Sequence, residues 1–182
     1  EQIQQALQLD PRSSLQTNLG AIQAVRGDLP AAEASLRQAV ATDPKSPTAQ
    51  LALGQFLWGS GRPAEAEGVF KAVLALEPAN PSANRALAFF YLQSNRAPEA
   101  EAHFKALAEP ADASYAKLAL ADYYVGMKRP ADALAVLEKL SADERFWAPA
   151  RGKVADIQYA EGKKADAFRT GDEVVAKRPT VA

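Results

Sequence analysis

The sequence predicts an all-α solenoid of repeated helix-turn-helix units. Three observations carry the prediction. Residue columns recur at one fixed interval, a turn position held by glycine in three repeats and followed by proline in four divides each interval, and a 48% apolar content beside 24% charged residues supplies a core without a membrane span. Leu19-Gly20 returns as Leu53-Gly54, Leu87-Ala88, Leu120-Ala121 and Val154-Ala155, at steps of 34, 34, 33 and 34 residues. Gly27, Gly61, Asn95, Lys128 and Gly162 keep the same interval, as do Ala32, Ala66, Ala100, Ala133 and Ala167. Two further columns run in phase: Leu36, Phe70, Phe104, Leu137 and Gly171, and Ala39, Val73, Leu107, Leu140 and Val174. Alanine richness alone produces one such column by chance, not five in register.

Each column has a physical role. The Leu-Gly or Leu-Ala pair sits midway along a first helix, helix A, where the small residue lets a second helix, helix B, approach closely. Gly27, Gly61 and Gly162 close helix A with a left-handed residue. Asn95 is the next-best residue there, and Lys128 predicts a turn that is strained or differently shaped. Pro30, Pro63, Pro98 and Pro130 fall in the first turn of helix B, where a missing N–H costs nothing. The alanine column is a second close-packing position, and the Leu or Phe four residues on is the large knob of helix B. Pro44 and Pro78 stop helix B after Asp43 and Glu77.

A 34-residue unit of two antiparallel helices, with small residues at the crossing and a proline near the end, resembles the tetratricopeptide repeat (TPR) family. The resemblance spans nearly the whole chain as a single array. It implies a right-handed superhelix of about five repeats, at 13–46, 47–80, 81–113, 114–147 and 148–181, after a partial N-terminal helix at 1–12. Ala6-Leu7-Gln8-Leu9-Asp10-Pro11 reads as the end of a preceding helix B. Repeats four and five depart from the pattern: Arg145 stands where proline is usual, and Gly171 replaces the large knob. A looser C-terminal end is expected. Neither end carries a polar capping helix, which reads as a fragment of a longer protein.

In the family, helix A lines a concave groove at positions 2, 5, 9, 12 and 13 of each repeat. Repeat one then offers Ser14, Thr17, Ala21, Ala24 and Val25. Across the later repeats the expected partner-binding residues are Gln55, Trp58, Arg85, Phe89, Leu92, Tyr115, Asp122, Asp156 and Tyr159. Aromatic side chains with an arginine among them are the usual composition of a binding hot spot. The competing reading is that these aromatics pack between neighbouring repeats. A TPR subclass that grips a chaperone's terminal carboxylate uses Lys, Asn and Arg at set groove positions. Here those positions carry Thr17, Ala21, Ala52, Ser82 and Ala86, so a carboxylate clamp of that kind is not expected.

Other chemistry finds little support. The chain has no cysteine, which excludes disulfides, thiolate catalysis and Cys-ligated zinc. The single histidine, His103, sits on helix B within Glu99-Ala-Glu101-Ala-His103 and reads as a half-packed surface residue. Lys128-Arg129 and Lys163-Lys164 read as solvated turn charges, and Gly59-Ser60-Gly61 as a helix-ending turn and not a phosphate loop. A net charge of −1 gives no long-range attraction for nucleic acid or an anionic membrane. The expectation is a non-enzymatic scaffold with no cofactor or metal, binding a peptide or helix of a protein partner. The composition looks like a bacterial protein of envelope assembly or secretion, in cytoplasm or periplasm. Two other readings are an accessory arm that positions substrate for a larger enzyme, and end-to-end self-association of the solenoid.

Overall fold

The computed structural model describes residues 11–177. The tail expected at residues 1–12 lies outside them up to residue 10, as does the chain from 178 onward. Ten α-helices and one 3-10 turn are found among the described residues. In order they are α1 (Pro11–Val25), α2 (Leu29–Thr42), α3 (Pro47–Gly59), α4 (Pro63–Leu76), α5 (Pro81–Gln93), the 3-10 turn Ala97–Ala100 leading into α6 (Glu101–Ala108), α7 (Ser114–Gly126), α8 (Pro130–Leu140), α9 (Glu144–Ala160) and α10 (Lys164–Ala176). Odd-numbered helices are helix A of a repeat and even-numbered ones helix B. The chain forms two compact units that divide between Phe90 and Tyr91.

Every helix A with its turn described ends in the same way. The residue after the last turn is left-handed: φ is +82° at Gly27, +74° at Gly61 and +80° at Gly162, and also +56° at Asn95 and +57° at Lys128. The next N–H reaches back five residues, as in Arg62 to the Leu57 carbonyl at 2.9 Å and Arg129 to the Tyr124 carbonyl at 2.9 Å. These two features make a Schellman ending, which satisfies carbonyls that the helix leaves orphaned. The Lys128 turn is therefore the same shape as the others, with a side chain where glycine fits best.

In the first unit α1 packs on α2, α3 on α4, and α3 also on α2 and α1. The alanine column and the knob column form the core: Ala32, Ala66 and Phe70 are fully buried, and Leu36 nearly so. The small residues of helix A are required by these knobs. A Cβ on Gly20 would lie 2.6 Å from Leu36 Cγ, and one on Gly54 would lie 2.8 Å from Phe70 Cδ1. The turns between repeats are tied by one side-chain position. Gln50 donates its amide to the Pro44 carbonyl, and Asn84 donates to the Pro78 carbonyl at 3.0 Å. Arg62 joins helix B to helix B, 2.6 Å from Glu33 and 2.6 Å from Glu65.

On the outer side of α1, Leu15, Leu19 and Ile22 remain exposed. Leu19 is 49% exposed, whereas its repeat equivalents Leu53, Leu87, Leu120 and Val154 are all buried.

The second unit is built by the same rules. α6 packs on α7, α7 on α8, α8 on α9, α9 on α10, and α7 also on α9. Ala100, Ala133, Leu137 and Leu140 are its most buried apolar residues on helices B. Lys117, at the position of Gln50 and Asn84, donates from Nζ to the Ala111 carbonyl at 2.7 Å. Arg129 is not a solvated turn charge. It lies 2.6 Å from Glu101 and 2.7 Å from Asp132, with its guanidinium 4.7 Å from the centre of the Tyr124 ring. Lys105 and Arg129 together hold the Glu101 carboxyl down at about 2, below the usual carboxylate range.

Two departures from the expected pattern have local causes. α9 begins at Glu144, earlier than a proline-started helix A would, because Asp143 caps it by accepting from the Arg145 N–H at 3.1 Å. Pro149 then falls inside the helix. In α10, where Gly171 offers no knob, Thr170 is buried instead and donates its hydroxyl to Gln158 Oε1 at 2.9 Å. His103 is half-buried and stacks on Tyr91 with 5.6 Å between ring centres.

Candidate partner-binding surface

Helix A positions the expected partner-binding residues, and each unit presents its own set. In the first unit Gln55 lies on α3 and Arg85 and Phe89 on α5, and all three are exposed. Phe89 keeps 50% of its surface in solvent while its neighbour Phe90 is buried. This is the helical alternation of a one-sided face. Trp58 is different. It is only half-exposed, and its indole meets Phe70 and Phe90 edge-on, with ring centres 6.3 and 5.5 Å apart. Trp58 is thus shared between core and surface, as the packing alternative anticipated. Thr17 is buried, not surface-facing, and its hydroxyl donates to the Ser13 carbonyl at 2.8 Å.

In the second unit Leu92, Tyr115, Asp122, Asp156 and Tyr159 are all exposed. Tyr115, at 80% exposure, stands edge-on to Phe146 with ring centres 4.9 Å apart. Tyr159 meets Phe168 at 6.4 Å, and Lys164 Nζ lies 5.7 Å from its ring centre. Leu92 sits on the last turn of α5.

Asp122 and Asp156 come together. They line one cleft of about 190 Å3 between α7 and α9, with Ala121, Val125, Leu137, Lys153, Ile157 and Ala160. The walls are apolar and the rim is charged. Lys153 pairs with Asp122. Asp156 has no ion-pair partner among the described residues, so the rim carries one uncompensated negative charge.

Lys153 and Phe146 were not among the expected residues. Lys153 occupies a helix A position outside the five that the family resemblance names. Phe146 lies in the added first turn of α9, and Asp143 directly before Glu144 was the available capping signal. Among the described residues no group of acidic or histidine side chains is arranged to hold a metal ion, and no helix is long and apolar enough to cross a membrane.

Two models described as tetratricopeptide repeat match the sequence, one over residues 57–118 and the other over 1–47 and 17–80. No curated protein sequence matches significantly. Solved structures share the fold. MamA from Desulfovibrio magneticus RS-1 is 18% identical, with 92% of this chain and 96% of that one covered and a TM-score of 0.67. Pseudomonas aeruginosa pilF is 23% identical over 94% of this chain and 78% of that one, with a TM-score of 0.65. Nearly identical TPR-like repeats of a Podosopora anserina kinesin light chain are 19% identical over 91% of this chain and 94% of that one, with a TM-score of 0.64. TPR proteins are in general scaffolds for protein–protein interaction. The recurring columns, the left-handed turns and the two family models lead to one assignment: this chain belongs to the tetratricopeptide repeat family.

Proposed function

We propose that the chain is a non-catalytic scaffold that holds an extended segment or short helix of a partner protein against its helix A faces. The observation that carries this reading is the exposure of Phe89, Tyr115 and Tyr159, at 50%, 80% and 53%. Tyr115 and Tyr159 each meet another ring edge-on, yet all three aromatics keep half or more of their surface in solvent at helix A positions, and aromatics are the commonest anchors of protein interfaces. Gln55, Trp58 and Arg85 accompany Phe89 in the first unit. Leu92, Asp122 and Asp156 accompany the tyrosines in the second. A role in bacterial envelope assembly or secretion extends the reading by analogy with the composition and with the bacterial structural neighbours.

A displayed library of random twelve-residue peptides, selected against the chain, tests the reading. Enriched peptides are expected to lose at least about tenfold in affinity for Arg85→Ala/Phe89→Ala or for Tyr115→Ala/Tyr159→Ala, both checked for unchanged helicity. Enriched peptides that bind both variants as tightly as the parent place the site elsewhere. The exposed stripe of Leu15, Leu19 and Ile22 favours end-to-end association as a second reading. A mass by light scattering that rises with concentration and falls with Leu19→Glu supports it, and a monomer throughout removes it.

A further inference from the structure

The cleft between α7 and α9 joins an apolar interior to a charge, Asp156, that no ion pair among the described residues neutralises. Its volume of about 190 Å3 is below the ~300–1,000 Å3 of pockets that enclose a whole small-molecule ligand. It matches a single long side chain. Val125 and Ile157 offer aliphatic contact along its length, and Ala121 and Ala160 keep the walls low. Three charged groups face it: Asp122, Lys153 and Asp156. Lys153 is engaged with Asp122, which leaves Asp156 as the free charge and the rim at a net −1.

We propose that this cleft receives a lysine or arginine side chain of the bound partner segment, with its aliphatic stem against Val125 and Ile157 and its cation at Asp156. The proposal rests on the reading that helix A faces bind a partner, and it names the chemistry that the second unit selects. Basic side chains suit such a site because their methylene stems bury against apolar walls while the charged head stays at the wet rim. A carboxylate would have to displace Lys153 from Asp122 and would then face two like charges. A purely apolar side chain would fill the walls and leave Asp156 unanswered.

The test uses the chain of 182 residues, labelled with nitrogen-15, and three capped pentapeptides, acetyl-Ala-Leu-X-Leu-Ala-amide, with X as lysine, norleucine or glutamate. The lysine peptide is expected to shift the amide signals of residues 121–126 and 156–160, with an affinity about three- to fivefold above the norleucine peptide, the range of a rim-exposed charge pair. Asp156→Asn should reduce the lysine peptide to the norleucine level and leave the norleucine peptide unchanged. Lys153→Met, which frees Asp122, should strengthen the lysine peptide. Opposite responses of two surface variants cannot arise from a folding defect. Equal binding of the lysine and norleucine peptides at these signals overturns the charge recognition and leaves the helix A reading standing. A glutamate peptide that binds tightest overturns it in favour of Lys153 as the recognising charge. If none of the three moves these signals, this proposal falls together with the helix A reading for the second unit.

Discussion

The ring of Phe70 occupies the space that a side chain at residue 54 would need. A Cβ on Gly54 would stand 2.8 Å from Phe70 Cδ1, and Phe70 is fully buried, so the ring has nowhere to retreat. Gly54→Ala is therefore expected to destabilise the chain by about 1–3 kcal/mol through overpacking, although alanine gains about 1 kcal/mol in helix propensity. Gly59→Ala is the control, because a Cβ there meets nothing within 4 Å. It should be neutral or slightly stabilising. Urea midpoints of the two variants check the contrast. Phe70→Ala should cost about 3–5 kcal/mol alone, and less when Gly54 is already alanine, because the added methyl fills part of the cavity.

Lys128 holds φ at +57°, the same left-handed turn that glycine makes at residues 27, 61 and 162. A side chain in that conformation costs roughly 1–2 kcal/mol, part of which glycine gives back through its freer unfolded chain. Lys128→Gly is expected to stabilise by about 0.5–1 kcal/mol, read as a higher melting temperature. The reverse change, Gly61→Val, should destabilise by about 1–2 kcal/mol. A Gly61→Val variant that melts with the parent would contradict the requirement for a left-handed residue at the end of helix A.

The positions of these turns and of the buried alanines were legible in the sequence because each is imposed by close backbone approach, which restricts the residue type and so leaves a column. Phe89, Tyr115 and Tyr159 were singled out by the helix A positions that the family resemblance names, and each is exposed. What the period does not encode was missed. α9 starts early because Asp143 caps it, a local interaction that replaces the usual proline. Lys153 became part of a cleft through a contact with Asp122 on the neighbouring repeat, and no single-repeat pattern shows such a contact. Trp58 has the chemistry of an exposed anchor, and only the two rings against it reveal its share in the core.

Glu101 makes a pH dependence testable. Its carboxylate meets Lys105 at 2.7 Å and Arg129 at 2.6 Å, and it accepts from the Tyr124 hydroxyl at 3.2 Å. Its folded pKa is held at about 2, against an ordinary 4.5. A depressed carboxyl pKa stabilises the folded state fully above 4.5, and that contribution is lost as pH falls from 4.5 towards 2. Glu101→Gln should therefore cost most near neutral pH, about 1–2 kcal/mol for charge-assisted hydrogen bonds at a partly solvated site. The gap between parent and variant should close in acid. Melting temperatures from pH 7 down to about 2 check the sign, and a gap that widens in acid would contradict it.

Trp58 and Phe89 are expected to separate stability from binding. Both lie on helix A of the first unit, but Trp58 is wedged against Phe70 and Phe90 whereas Phe89 keeps half its surface in solvent. Trp58→Ala removes an indole from two edge-on ring contacts and should cost about 2–4 kcal/mol of stability. Phe89→Ala should cost only about 1 kcal/mol, because half of its surface stays in water on folding. Denaturant midpoints measured beside partner affinity decide what each residue does. A loss of binding with Phe89→Ala at unchanged stability reports the surface itself. The same loss with Trp58→Ala reports the surface only if binding falls further than the folded population does, since an unfolded scaffold has no face to offer.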